Sequence, residues 1–286
     1  MPQTLIQQHM LTQTSISTPC STWLSWLTAT PQNDVYFLIN TLSDPNPVKR
    51  FYAHDWIEEA FPIYHGTALA HLVEVSPWLV KVKRSQLFHL GKMLDSEPFS
   101  DPSWGWAYQS QLDWRTQITH WQKYQFALMG EDKIIFRFFD ARIARTLLPN
   151  LDRGDWSLLM MPIEDCFIEC GETNTIYSRP PYAEPFISPA DYILSEALIK
   201  VWRNSEQAYI NVIDNFYIQF WENHPTLADP LDEPEGRLIA LIREWMDECQ
   251  QKRLDTAHLF DDLFLRYLDE KGYLPDMTRS TNAVSV

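Results

Sequence analysis

Glycine is scarce in this chain, with 8 in 286 residues, where average usage near 7% would give about twenty. No two glycines stand at the spacing of a phosphate-cradling loop, which argues against phosphate-loop and dinucleotide enzymes. A Gly-x-Ser-x-Gly elbow to expose a serine nucleophile is missing, as is a His-Glu-x-x-His pair to set two metal ligands on one helix face. Cysteine is also sparse. Cys20, Cys166, Cys170 and Cys249 are too few and too scattered for a disulfide framework and include no Cys-x-x-Cys pair, so reduced thiols in a cytosol fit best. No apolar run approaches the roughly 18 residues that span a bilayer. The Gln- and Thr-rich start, Met1 to Thr18, lacks the basic and apolar regions of a signal peptide. A soluble, cytoplasmic protein is expected.

Positive charge is in short supply as well. The 23 Lys and Arg face 38 Asp and Glu, a net charge of −15, and the imbalance grows along the chain: residues 1 to 170 hold 13 basic and 18 acidic side chains, residues 171 to 286 hold 10 and 20. Such a surface repels phosphate backbones and anionic lipid heads, so nucleic acid and membrane surfaces are poor partners, while solubility alone is the plain explanation. What the chain has in quantity is apolar and aromatic surface, at 45% hydrophobic and 14% aromatic with 12 Trp. That is the composition of a folded chain, and its length suits two domains.

Along the sequence, Ser21 to Leu27 reads as a short helix broken by Pro31 to Asp34, and Val35-Tyr36-Phe37-Leu38-Ile39 as a central strand covered on both faces. From Pro47, the residues Val48, Phe51, Tyr52 and Trp56 recur at helical spacing until Phe61-Pro62. Strands are predicted at 78–82 and 105–110 and helices at 86–94 and 114–124. Residues 125–129 and 133–139 form a hairpin about Gly130-Glu131-Asp132. The first 150 residues thus alternate α and β with an antiparallel edge. Segments 166–169 and 175–178 can pair, and three prolines in 179–185 mark a linker. Beyond it the period is helical throughout. A long helix opening at Ser188-Pro189 carries Leu194, Leu198, Val201, Trp202, Tyr209, Val212, Phe216 and Phe220; a second starts near Pro234, and a third runs from Thr256 to Lys271, ended by Gly272.

Chemistry-bearing clusters are few. His54, His65, His71 and His89 lie within 36 residues, but their spacings match no familiar ligand pattern and their apolar neighbours suggest packing. Cys166 and Cys170 share a strand face too far apart for a disulfide. The acid clusters Glu164-Asp165, Asp232-Glu233-Glu235 and Asp261-Asp262 suit solvated faces and helix starts. The distinctive stretch is Ile134-Ile135-Phe136-Arg137-Phe138-Phe139-Asp140-Ala141-Arg142. Strand alternation sends Ile135, Arg137 and Phe139 to one face, planting a charge among apolar groups that demands a partner. Asp140 can cap the following helix and hold Arg137 or Arg142. The plain reading is a strand-to-helix corner fixed by ion pairs; the sharper one is a recognition site for a peptide carboxylate or backbone.

At this corner Phe136-Arg137-Phe138-Phe139-Asp140-Ala141-Arg142, followed by Leu147-Leu148-Pro149-Asn150-Leu151, resembles the hallmark segment of the type VI secretion effector adaptors, with Phe139 for the usual Tyr and Ala141 for the usual Pro. In the same order, 36–40 resembles that family's opening strand, Pro62 to Thr67 its turn with His65 in place of an acid, 76–80 its Pro-Tyr-Leu-Val strand, and Trp104-Gly105 with 114–121 its tryptophan-containing strand and following helix. The likeness covers 35 to 167. It implies a bacterial cytoplasmic accessory protein, encoded beside a VgrG spike protein and a toxin, that binds the toxin and loads it onto the spike without being an enzyme. A variable helical C-terminal region would choose the cargo.

The expected architecture is therefore α+β: a mobile tail over 1–20, a mixed α/β domain with a mixed sheet over 21–180, and an all-helical domain over 181–286. Expected partners are a cognate effector and VgrG, with no nucleic acid, membrane insertion, cofactor, metal or catalytic residue. Candidate partner-binding positions are Arg137, Phe139, Asp140, Arg142, Trp104, Trp78, Trp202 and Trp245; Trp202, Trp221 and Trp245 offer more aromatic surface than three helices can hide. The alternatives are an immunity protein plugging a basic toxin, and a hydrolase using Arg137, Asp140 and a histidine.

Overall fold

The computed structural model describes residues 16–20, 22–170, 173–181, 183–187, 190–252 and 261–274. The chain divides into two compact units, Met1–Arg203 and Asn204–Val286.

The first unit is built on one seven-stranded sheet in the order β1-β9-β8-β5-β2-β4-β3. Its strands are β1 (Ile16–Cys20), β2 (Asp34–Ile39), β3 (Ile57–Pro62), β4 (Trp78–Val82), β5 (Gly105–Ser110), β8 (Asp165–Cys170) and β9 (Thr173–Ser178). Every pairing is antiparallel, so the antiparallel edge read from the sequence extends across the whole sheet. β2 lies between β4 and β5 and is covered on both faces: Val35, Phe37 and Ile39 enter one core, Tyr36 and Leu38 the other. This is why its five apolar residues run without a polar interruption.

The first face is covered by α1 (Trp23–Ala29), α2 (Pro47–Ala53) and α3 (Leu87–Ser96), which contribute Trp23, Trp26, Phe51, Leu90 and Leu94 to the core. The opposite face carries α4 (Trp114–Lys123), the hairpin of β6 (Phe126–Met129) and β7 (Asp132–Ile135), α5 (Ala141–Leu147), α6 (Arg153–Leu158) and α7 (Glu196–Arg203). Polar caps start the helices: Thr22, Asn46, Asp113, Asp140 and Asp152 each accept a backbone N–H of the first turn.

Several sequence expectations shift. Residues 16–20 of the expected tail form β1, paired along its length with β9, while the first fifteen residues lie outside the described ones. The helix from Pro47 stops at Ala53; Asp55 turns the chain at φ 55° and Ile57–Pro62 becomes the edge strand β3, placing Trp56 between the two. β7 ends at Ile135, so Phe136 to Asp140 form a turn and not a continued strand. The proline-rich 179–185 stretch is part of the first unit. Ala183 is buried there, and the Arg179 guanidinium reaches the carbonyls of Met161 at 2.6 Å and Ile163 at 2.5 Å. Ser188 and Pro189 lie outside the described residues. The chain is extended through 190–195, because Leu128 exchanges backbone hydrogen bonds with Tyr192 and Leu194, and the helix begins at Glu196. Tyr192, Leu194, Leu198 and Ile199 complete the first unit's core, which moves the division from the expected 180/181 to Arg203/Asn204.

The second unit is helical: α8 (Glu206–Asn223), α9 (Pro225–Leu231), α10 (Arg237–Gln251) and α11 (Asp261–Glu270). The single long helix expected from Ser188-Pro189 through Phe220 is two, since Ser205 leaves helical geometry and caps α8 through Ala208. α9 was not anticipated, being a seven-residue segment with Pro225 at its start and Pro230 inside it. The start of the third expected helix, 256–260, lies outside the described residues, and Gly272 takes φ 70° just past its end. Phe216, Phe220, Trp245 and Phe264 form the heart of this core, with ring centres 5.1–6.1 Å apart. Trp245 is therefore core and not surplus aromatic surface, at 5% exposure.

Candidate partner-binding site

The corner between β7 and α5 turns on Asp140, whose residue is 1% exposed. Its carboxylate accepts from the Arg142 backbone N–H at 3.0 Å, capping α5, and from Arg142 Nε at 3.0 Å and Nη2 at 2.8 Å in a two-point pair. Arg137 stands 3.6 Å from the same carboxylate with its side chain 44% exposed, and its guanidinium lies 5.9 Å from the Phe139 ring centre. The expected buried charge is thus absent. Because the strand stops at Ile135, the chain turns, Phe136, Phe138 and Phe139 all pack inward, and Arg137 swings to the surface. The Trp106 indole donates to the Phe138 carbonyl at 2.8 Å and pins the turn to β5.

Beside this corner lies a cavity of about 440 Å³. Its walls come from the start of α1 (Thr22, Trp23), the end of α3 (Leu94, Asp95), the 98–104 segment, Ala141 and Arg145 of α5, and Glu169 and Asn174 of the sheet. Glu169 is held by two indoles: Trp23 Nε1 donates to one oxygen at 2.6 Å and Trp104 Nε1 to the other at 2.9 Å. Each oxygen keeps a lone pair for a further donor. Asp95 accepts from the backbone N–H groups of Trp23 at 2.7 Å and Leu24 at 3.1 Å, where the dipole of α1 favours an anion. Four residues back along the same face of β8, Asp165 accepts from Trp26 Nε1 at 2.6 Å, and burial pushes its carboxyl up against the opposing effect of that bond. α1 is therefore laid on the sheet by two indole–carboxylate bonds.

Arg145 sits one helical turn past Ala141 and lines the same cavity. A second hollow of about 400 Å³ shares Pro98, Phe99 and Ser100 with the first and adds Lys49 and Arg50. Arg50 spans the Glu97 carbonyl at 2.7 Å and carboxylate at 3.1 Å, and lies 5.1 Å from the Phe99 ring centre. Cations and carboxylates around an aromatic floor are groups that read a peptide chain.

Of the sequence-derived positions, the structure brings Arg137, Phe139, Asp140 and Arg142 together and places Trp104, 1% exposed, on the neighbouring cavity. Trp78 is half-buried on β4, edge-on to Tyr52 at 6.3 Å. Trp202 packs half-buried at the end of α7 against the first unit's core, and Trp245 lies in the core of the second unit. Among the described residues no histidine lines either hollow. His54 stacks on Trp56 at 4.7 Å, His65 meets Phe61 edge-on at 5.8 Å, and among the described residues no group of three His, Cys, Asp or Glu could hold a metal ion. Glu169, Trp23, Asp95 and Arg145 escaped the sequence reading. The signal that points to them is that a buried indole needs an acceptor: Trp23 and Trp26 stand three apart on a helix, Asp165 and Glu169 four apart on one strand face.

Among the described residues no helix is long and apolar enough to cross a membrane. No curated protein and no solved structure matches the chain. Residues 35–158 match the family described as Domain of unknown function (DUF4123), a stretch that runs from β2 through α6 and contains the Asp140 corner together with the Ala141 and Arg145 wall of the cavity.

Proposed function

We propose that this protein is a non-enzymatic adaptor that binds a type VI secretion effector in the cytoplasm of a bacterium and loads it onto the VgrG spike. The observation that carries the reading is the match over residues 35–158 to a family associated with type VI secretion effector adaptors. It falls on the segment that builds the corner and one wall of the cavity. The local chemistry agrees. Asp140 commits its carboxylate to Arg142 and the helix cap, and the charged residues of the cavity sit beside aromatic walls. A surface of this kind suits recognition of a polypeptide.

The test is deletion of the gene in its own host followed by assay of secreted proteins. An adaptor's loss should abolish delivery of one toxin, leave that toxin intact inside the cell, and leave secretion of the other effectors unchanged, with delivery restored by the intact gene. An immunity protein's loss would instead poison the deletion strain or its siblings, and that result would overturn the adaptor reading.

A further inference from the structure

The β6–β7 hairpin has one open side. Leu128 gives both its backbone groups away from β7: its N–H donates to the Tyr192 carbonyl at 2.8 Å and its C=O accepts from Leu194 at 2.9 Å. On the other side, Phe136 N–H donates to the Gln125 carbonyl at 2.9 Å. With Phe126 opposite Ile135 and Leu128 opposite Lys133, the alternation of an antiparallel pair then fixes the rest. Ile134 exchanges its hydrogen bonds with Ala127, while Lys133 and Ile135 aim their N–H and C=O groups outward, where no further strand of this sheet lies among the described residues.

An open edge of this kind is ordinarily guarded by a projecting lysine. Here the guard is turned away. The Lys133 ammonium folds back across β6, over the Phe126 ring at 4.9 Å and toward Asp191 at 3.6 Å. Ile135 is left 42% exposed beside the bare backbone, and Ile193, across β6, is 62% exposed. The ends of the edge carry opposite charge: Glu131 and Asp132 are exposed at the turn, and Arg137 is exposed just past the strand.

We propose that β7 is a docking edge for an extended segment of the effector, which adds a strand to the hairpin through the outward N–H and C=O groups of Lys133 and Ile135. This rests on the adaptor reading. Backbone hydrogen bonds give the segment its hold. The charges select it: a basic side chain beside Glu131 and Asp132, an apolar one against Ile135, an acidic one beside Arg137.

The experiment uses the full chain and the toxin identified by the secretion assay. Proline at an outward N–H position removes a donor without touching the internal ladder, whereas proline at an inward position breaks it. Lys133→Pro and Ile135→Pro should each weaken toxin capture at least tenfold with melting nearly unchanged, and in the complex the Lys133 and Ile135 amides should exchange at least tenfold more slowly than in the free protein. Ile134→Pro, which removes an inward donor, should lower the melting temperature and so gauges damage to the hairpin. Toxin capture by the outward variants equal to that of the unaltered chain, or unchanged exchange at both amides, would overturn the docking edge and leave the adaptor reading intact. Failure of the unaltered chain to capture any toxin would sink both. A dimer of this protein that the outward substitutions dissociate would assign the edge to a second copy and overturn the proposal.

Discussion

At the scale of single residues, the corner shows how burial decides which of two arginines matters. Arg137 and Arg142 both approach Asp140, but Arg142 makes the two short bonds at 3.0 and 2.8 Å while Arg137 stands at 3.6 Å, largely in solvent. An exposed ion pair contributes about 0–1 kcal/mol. Removing the close partner of a buried carboxylate costs about 3–5 kcal/mol, because the charge is left without compensation. Arg137→Ala should therefore lower stability by less than about 1 kcal/mol and Arg142→Ala by about three times as much or more, measured by urea unfolding. Equal losses would show that the two arginines share Asp140. The sequence pattern suggested the reverse emphasis, with Arg137 buried, because it treats the strand as continuing to Phe139.

At the scale of elements, α1 is the piece most dependent on close fit. A methyl group added to Gly91 of α3 would lie 2.6 Å from Leu24 Cα and 3.0 Å from Leu24 N, both backbone atoms of α1 or its first turn that cannot rotate aside. On a solvent-facing helix, Gly→Ala stabilises by roughly 1 kcal/mol. Here overpacking against backbone outweighs that, and Gly91→Ala should destabilise by about 1–3 kcal/mol. It should also loosen the Trp23–Glu169 and Trp26–Asp165 bonds that α1 makes with β8, visible as a red shift and rise in tryptophan accessibility to a quencher. A stabilised variant would mean that α1 rides above α3 without interlocking.

Much at this level was legible in the sequence. β2, β4, β5, the helix at 114–123 and the helix at 237–251 follow from uninterrupted apolar runs or 3.6-residue periodicity, because their burial pattern is set locally. What was illegible depends on partners distant in the chain. β1 owes its strand form to pairing with β9 some 155 residues away, and 190–195 is extended because Leu128 offers it backbone groups. The break at Ser205 was concealed by an apolar stripe that stays in phase on both sides. The corner motif could be found from its residues, whereas the cavity beside it could not, since Trp23, Asp95, Arg145 and Glu169 meet only after the sheet is assembled.

At the scale of the whole molecule, two features set stability. The first is where the chain divides. Leu194, Leu198 and Ile199 lie in the same core as Trp156 and Leu148, and the Tyr192 hydroxyl donates to Asp155 at 2.7 Å, so residues 190–203 close the first unit. A fragment ending at Arg203 should unfold in one cooperative transition, whereas one ending at Pro180 loses the five buried apolar side chains Ala183, Tyr192, Leu194, Leu198 and Ile199 and should melt far lower or fail to fold; equal melting of the two would place the true boundary at the proline-rich stretch. The second is His120, which lies in that same core. Burial depresses its imidazole from the ordinary 6.5 to about 3, outweighing its bond to the Leu159 carbonyl at 2.8 Å, with the Lys123 charge adding to the depression. The folded chain thus keeps His120 neutral while the unfolded chain protonates it near pH 6.5. The associated stability is present above pH 6.5 and is lost as pH falls toward 3, with a slope approaching about 1.4 kcal/mol per pH unit. Asp155 and Asp165 oppose this, since burial raises both carboxyls and each favours the fold as it takes up a proton, but they act only below their raised values. Between pH 6.5 and the range where those acids titrate, His120 sets the slope. Urea midpoints should therefore fall from pH 6.5 to pH 5 in the unaltered chain and stay flatter in His120→Gln, whose amide N–H can reach for the same carbonyl without a proton to gain; parallel slopes in the two would mean that another group carries the pH dependence.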